Sequence, residues 1–431
     1  MVPCPPLATL RSLAVACLIV VGIKRTGMAG DWPQWRGPDR TGHASKDEPQ
    51  LATLTATPRV VWKVRAGEGF GSPVVTGGRV FGLETRNGKE VLRALDATEG
   101  GELWSAVIDS TFTDSQGPPA PRGTPVVVGG QVYAQSCRGE LVCLDASSGQ
   151  RRWAVNYTRD FGANFFGEKG NARGSMRHGN TGSPWVEEGW VWASAGSTNG
   201  AALVAIDAMT GGVRWKGGNE VASYAAPMMA SLDGTRQVIN FMADAAVGLD
   251  AKSGAVLWRY PLKTDFSRHV ITPIIFGNQV ILGSHQTGLI GLRVAYKGGV
   301  WTVSEMWNSR EAAPNVACPV KIGDWIFGLG PQQNVICVSA IDGHLQWSKT
   351  GWISTTQDKA HAGFIAIGEK TVLMLNDTGE LILFAANATE CLELGRVQVC
   401  GSNWCNPALS KGRLYLREGV RNSGSWMCLE L

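Results

Sequence analysis

A nine-residue phrase recurs along this chain: Asp, Ala, one variable residue, usually Ser or Thr, then Gly, three residues and Trp. Copies run from Asp96 to Trp104, Asp145 to Trp153, Asp207 to Trp215 and Asp250 to Trp258, always with Gly four and Trp eight positions after Asp. A worn copy runs from Ser339 through Gly343 to Trp347, and Trp62 and Trp307 fall in the same series. The residue types suit one job. Asp and Ser/Thr side chains hydrogen-bond local backbone in a tight turn, Gly supplies a positive φ, and a Trp brings a large apolar ring whose N–H seeks an acceptor. The phrase is a turn followed by an anchor, repeated.

A second landmark interleaves with it: a small or β-branched residue, Pro, and a short apolar run. It stands at Ser72-Pro73-Val74-Val75, Thr124-Pro125-Val126-Val127, Ser183-Pro184-Trp185-Val186 and Ala226-Pro227-Met228-Met229. It continues at Thr272-Pro273-Ile274-Ile275, Cys318-Pro319-Val320 and Asn406-Pro407-Ala408-Leu409, with Gly363-Phe364-Ile365 as the copy lacking Pro. From each Pro to the following Trp takes 28 to 34 residues, and Leu394 stands where the seventh Trp belongs. Eight units result. A period of about 40–60 residues with strand content specifies a propeller or a solenoid. Within a unit four short strands are legible, as at Val74-Val75, Val80-Phe81, Leu92–Asp96 and the strand of Trp104. Such antiparallel units repeated radially are blades.

The chain ends decide between ring and solenoid. After Pro407 only three strands remain, around Pro407–Leu409, Arg413–Arg417 and Trp426–Leu431. A spare strand, Arg59 to Val64 with Trp62, precedes the first landmark and belongs to no complete unit. It completes the last blade, which leaves no long exposed sheet edge. The sequence therefore predicts an all-β, eight-bladed propeller of four-stranded blades over 59–431, closed by its N-terminal strand, with an N-terminal extension at 31–58.

Composition agrees. The chain has 55 Gly, 17 Trp, 44% hydrophobic and 18% charged residues, enough apolar content for a core and little resemblance to a disordered chain. Residues 1–30 read as a signal peptide: Arg11, an apolar run from Ser12 to Ile23, then Lys24, Arg25 and small residues to a cleavage point after Ala29 or Gly30. The run is too short to span a membrane as a helix; retention as an uncleaved anchor is the alternative. The expected location is exported, periplasmic or extracellular, with no transmembrane helix in the mature chain. The formal charge of +4 falls close to neutral once Arg11, Lys24 and Arg25 are removed, so nucleic acid is not an expected partner.

These residues resemble the quinoprotein-type, or PQQ-like, propeller repeat family, which includes the non-catalytic BamB scaffold of outer-membrane assembly. Asp31-Trp32-Pro33-Gln34-Trp35-Arg36-Gly37-Pro38, Gly379-Glu380-Leu381 and Gly412-Arg413-Leu414-Tyr415-Leu416-Arg417 also look like a secreted bacterial branch of it. The Trp phrase is then the family's tryptophan-docking motif. Catalytic members of the superfamily hold quinone and Ca²⁺ over the ring axis, and its alcohol dehydrogenases carry adjacent cysteines. This chain has no adjacent cysteines, and none of its motifs matches their metal-binding carboxylate or catalytic Asp.

The remaining chemistry is sparse. Cys143, Cys337 and Cys428 share one place in three repeats and read as small buried residues. Cys400 and Cys405 flank Gly-Ser-Asn-Trp in a loop and either bridge or stay thiols. There is no Cys-x-x-Cys, no paired-His metal motif and no Gly-x-Ser-x-Gly elbow, so no catalytic or metal-ligating residue is assigned. Gly67-Glu68-Gly69-Phe70-Gly71 reads as an inter-blade loop. Loop length gives the functional clue. Six junctions take 11 to 16 residues from Trp to the next landmark, but 21 separate Trp104 from Pro125 and 31 separate Trp153 from Pro184. Long loops in compact domains are usually functional or disordered. The candidate ligand-face residues are therefore Phe165, Phe166, Arg173, Arg177 and His178, with Arg268 and His269 in another junction on the same face. The expectation is a non-enzymatic scaffold for a protein or cell-surface polymer, with no cofactor. The alternative is a PQQ-dependent alcohol or sugar dehydrogenase using PQQ and calcium.

Overall fold

The computed structural model describes Met1 and residues 30–431 apart from 55–56, 116, 118–120, 355–359 and 420–423. All of the expected signal segment except Met1 and Gly30 lies outside the described residues. Eight four-stranded antiparallel sheets form the ring. Blades 1 to 4 run Val74–Ser110, Val126–Asn156, Trp185–Gly217 and Met228–Pro261. Blades 5 to 7 run Ile274–Ser309, Val320–Thr350 and Ala362–Gln398. Blade 8 takes Ala408–Ser410, Arg413–Glu418 and Ser425–Glu430 from the C-terminus and Arg59–Arg65 as its outer strand. In that strand Trp62 pairs with Cys428 and Arg59 with Glu430, so the ring closes as its repeat count requires.

The recurring phrase joins neighbouring blades. Asp207 Oδ1 accepts from the backbone N–H groups of Met209 and Thr210 at 3.0 and 2.9 Å, and Asp250 does the same for Lys252 and Ser253. Four of the Trp then donate the indole N–H to the Ala carbonyl of the next blade's phrase: Trp62 to Ala97, Trp104 to Ala146, Trp153 to Ala208 and Trp215 to Ala251, at 2.9–3.1 Å. The ring lies on that phrase's Gly. At Gly254, whose φ is +75°, an added Cβ would stand 2.5 Å from Trp215, so both backbone and space demand Gly.

Where the phrase fails, contacts change. Blade 5 has no Asp-Ala turn but two ten-residue strands, Gly288–Lys297 and Val300–Ser309, and Trp258 of blade 4 donates to Gln237 of its own blade at 2.7 Å. In blade 7 Leu394 replaces Trp, and its carbonyl accepts from Leu54 of the extension at 3.1 Å.

The extension threads the central channel. Trp32 pairs with Val75 of blade 1, Pro33 O accepts from Val127 N of blade 2, and His43 pairs with Ala366 of blade 7. Glu48 accepts from Lys411 N and Gly412 N of blade 8. At the centre Arg40, only 1% exposed, donates to the carbonyls of Ser183, Pro184 and Pro227 and to Gln34 Oε1, and Arg36 donates to Pro319 O. One short segment thus ties inner strands around the ring.

Candidate functional site

In an up-and-down blade order all inter-blade junctions emerge on one face. There they surround an axial cavity of about 660 Å³, whose floor is Trp35 of the extension. Trp35 is held by its indole N–H to Thr272 Oγ1 at 3.0 Å. The wall follows a rule readable in the sequence. The third residue before each landmark Pro lines it: Phe70, Arg122, Thr181, Tyr224, Val270, Val316 and Trp404. The strand start fixes that position's direction, so seven of the eight blades contribute one side chain each to a common ring.

Phe70 and Trp404 meet at 5.3 Å between centroids, and the Arg122 guanidinium lies over the Phe70 ring, 5.7 Å from its centroid. Arg122 donates to Asp114 Oδ1 at 2.8 Å and to His178 O at 3.0 Å. His178 Nε2 accepts from Arg177 Nε at 3.1 Å, so its proton is on Nδ1 and is donated to Asp114 at 2.8 Å. Asp377, across the cavity, accepts from Ser354 N and Oγ. His361 is buried, and burial depresses its pKa to about 4; its Nε2 has no hydrogen-bond partner. Arg268 lines the cavity and makes no hydrogen bond or ion pair among the described residues.

The segment presenting Arg268 is strained and held. Phe266 and Ser267 both adopt positive φ, +58° and +52°, a conformation that costs non-Gly residues energy and persists only when the surroundings impose it. Gly174 N donates to Phe266 O, the Ser223 hydroxyl donates to Ser267 O at 2.6 Å, and Tyr224 N donates to His269 O.

The seven residues singled out from sequence are not equivalent in the structure. His178 and Arg268 line the cavity. Arg177 lies beside them, its guanidinium 4.6 Å over Phe266. Arg173 pairs with Asp244 at 2.7 Å on the rim. Phe166 is 53% exposed, whereas Phe165 packs edge-on against Phe112 at 4.8 Å. His269 does not face the cavity. It is 0% exposed, stacked on Phe241 at 3.8 Å, and both ring nitrogens are bonded, Nδ1 to Met242 O and Nε2 to Thr264 Oγ1. Alternation along the chain turns it inward where its neighbour Arg268 turns out. Cys400 and Cys405 are free thiols, raised by burial to about 12 and 11, and Cys143, Cys337 and Cys428 are fully buried. Sequence reading missed Phe70, Trp404, Arg122 and the floor Trp35; the third-before-Pro register was the signal for the first three.

Burial also depresses the His269 pKa, to about 4. The folded protein thus binds this proton less tightly than the unfolded chain, whose imidazole keeps its ordinary value near 6.5. The His269 contribution to stability is complete above that value and is lost as pH falls from it toward about 4. An NMR titration of the imidazole protons is expected to place His269 near 4, and His269→Gln to reduce the loss of stability between pH 7 and 5. A midpoint above 6 would contradict the buried, neutral assignment.

Calcium takes six to eight oxygen ligands. The cavity wall offers one carboxylate, Asp377, already engaged by Ser354, and among the described residues no three His, Cys, Asp or Glu side chains converge. These residues do not fit a calcium-held quinone.

A family model described as "Outer membrane protein assembly factor BamB" matches residues 38–230 and 169–349. The outer membrane protein assembly factor BamB of Moranella endobia (strain PCIT) is 23% identical over 225 residues, 52% of each chain. The chain thus spans about half the length of the curated relatives it matches. Among solved structures, BamB from Moraxella catarrhalis covers 87% of this chain and 100% of its own at 15% identity, with a TM-score of 0.58. Quinohemoprotein alcohol dehydrogenase from Comamonas testosteroni covers 93% and 80% at 13% identity, with a TM-score of 0.64. At these identities the structural likenesses establish the fold alone, but the family model spans most of the ring, and the chain belongs to the PQQ-like β-propeller family described as outer membrane protein assembly factor BamB.

Proposed function

We propose that this protein is an exported, non-enzymatic scaffold acting in outer membrane protein assembly, and that it holds a protein partner on the face of its inter-blade junctions. One observation carries the reading. Phe166 and Phe266, 53% and 55% exposed, stand on two junctions of that face, linked by the Gly174 N–H donated to Phe266 O and by the Arg177 guanidinium over Phe266. Arg173 flanks them. Exposed aromatics beside arginines are the composition that interface hot spots favour, and the enlarged junction raises them beside the cavity mouth. The names of the relatives supply the process, and the near-neutral surface favours a protein over a polyanion.

The test is cross-linked capture in a host that exports the chain. The Phe166→Ser/Phe266→Ser variant is expected to recover its partner about tenfold less well, as loss of a modest hot spot predicts, at an unchanged melting temperature. Capture undiminished by both substitutions overturns the assignment of this face.

A further inference from the structure

The axial cavity narrows the class of ligand further, resting on the recognition face proposed above. Trp35 of the extension lines its base, and Arg36 and Arg40 of the same segment hold four carbonyls that lead into three inner strands, those of blades 3, 4 and 6. The extension already occupies the channel, so an occupant is a small molecule or a chain end.

Its wall is divided. Phe70 and Trp404 form an aromatic surface at the junctions flanking blade 8, while Arg268, between blades 4 and 5, faces them across the axis. Around the wall, Arg122, Tyr224, His178 and Asp377 are all engaged by protein groups. Among the described residues the half-buried Arg268 guanidinium and the buried His361 Nε2 are not. A buried polar atom without a partner calls for a reason, and the Phe266–Ser267 turn that presents Arg268 is held at positive φ by the bonds from Gly174 and Ser223.

We infer that the cavity binds an aromatic carboxylate lying across the axis, its carboxylate on the Arg268 guanidinium and its ring against Phe70 and Trp404. The planar guanidinium fork matches a carboxylate with two parallel hydrogen bonds. Aromatic rings favour offset or edge contacts with a ligand ring. One unpaired cation neutralises a monoanion, whereas a phosphate dianion would keep an uncompensated charge. The same chemistry is presented by a free aromatic acid and by the C-terminal aromatic residue of a polypeptide.

Calorimetry on the mature protein separates these. The probes are 3-phenylpropionate, a hexapeptide ending in Phe with a free carboxylate, and the amide of each. At least one acid is expected to saturate one-to-one, its amide to bind at least tenfold more weakly, and Arg268→Gln to lose the same factor. Because Arg268 makes no hydrogen bond or ion pair among the described residues, that variant should melt with the wild type. Trp404→Leu should also weaken binding. Preference for 3-phenylpropionate assigns a small molecule, and preference for the peptide assigns a chain end. The inference is overturned if neither acid saturates, if amides bind as well as acids, or if Arg268→Gln changes nothing. Phe166→Ser, on the rim, should leave acid affinity intact. Partner capture that depends on Phe166 while the wild type binds no acid would sink the cavity assignment alone.

Discussion

Trp215→Ala is expected to destabilise the ring by about 3–5 kcal/mol, the usual cost of removing a buried Trp. The indole is 8% exposed, donates to Ala251 O at 3.0 Å and covers Gly254 of the next blade, so the substitution opens a cavity between blades 3 and 4 and leaves Ala251 O with only one of its two indole donors, Trp192 at 3.1 Å. For a protein of this size the melting temperature should fall by roughly 5 °C. Trp215→Phe should lose much less, because it keeps most of the buried area and forfeits chiefly the N–H bond, worth about 1 kcal/mol. Calorimetric melting of both variants checks the claim. An unchanged melting temperature for Trp215→Ala would show that the repeated Trp is not what couples the blades.

The second large effect belongs to Arg40. Its guanidinium is buried at the axis and satisfies the carbonyls of Ser183, Pro184 and Pro227, while its plane lies 5.1 Å from the Trp185 ring. Arg40→Met preserves most of the apolar volume but leaves three inner-strand carbonyls without that donor. Each buried group left unpaired costs about 1–3 kcal/mol, so a loss of about 3 kcal/mol or more is expected. The extension should also loosen, since Arg40 is its central anchor. Limited proteolysis is expected to cut within 30–58 in Arg40→Met under conditions that spare the wild type. A variant as stable and protease-resistant as the parent would mean that the extension is held by its ends at Trp32 and Glu48 alone.

The two effects differ in how visible they were from sequence. The Trp phrase is local: Asp, Gly and Trp act within nine residues, and their chemistry implies a turn and an anchor before any partner is known. Blade number, register and closure by Trp62 followed. Arg40 gave no such signal, because its partners lie 143 to 187 residues away. The site divides in the same way. Loop length drew attention to the junction of Phe166 and His178, since extra residues must emerge somewhere, and junctions emerge on one face. It did not separate Arg268 from His269, adjacent residues of which one reaches the cavity and the other is stacked on Phe241 with both nitrogens bonded. It also passed over Phe70, set in a glycine-rich stretch that reads as a plain connection.

By itself, then, the sequence determined the all-β ring of eight blades and the strand that closes it, because strand period, turn chemistry and Trp anchoring are settled by residues close in the chain. Only the tertiary structure decided what lies at the axis. The extension's path through the channel, Trp35 as a floor, and the meeting of Phe70 with Trp404 depend on residues hundreds of positions apart, brought together only once the ring has closed. Arg268 has no hydrogen-bond or ion-pair partner among the described residues for the same reason: whether a guanidinium finds an acceptor is decided by everything packed around the axis, not by its neighbours in sequence.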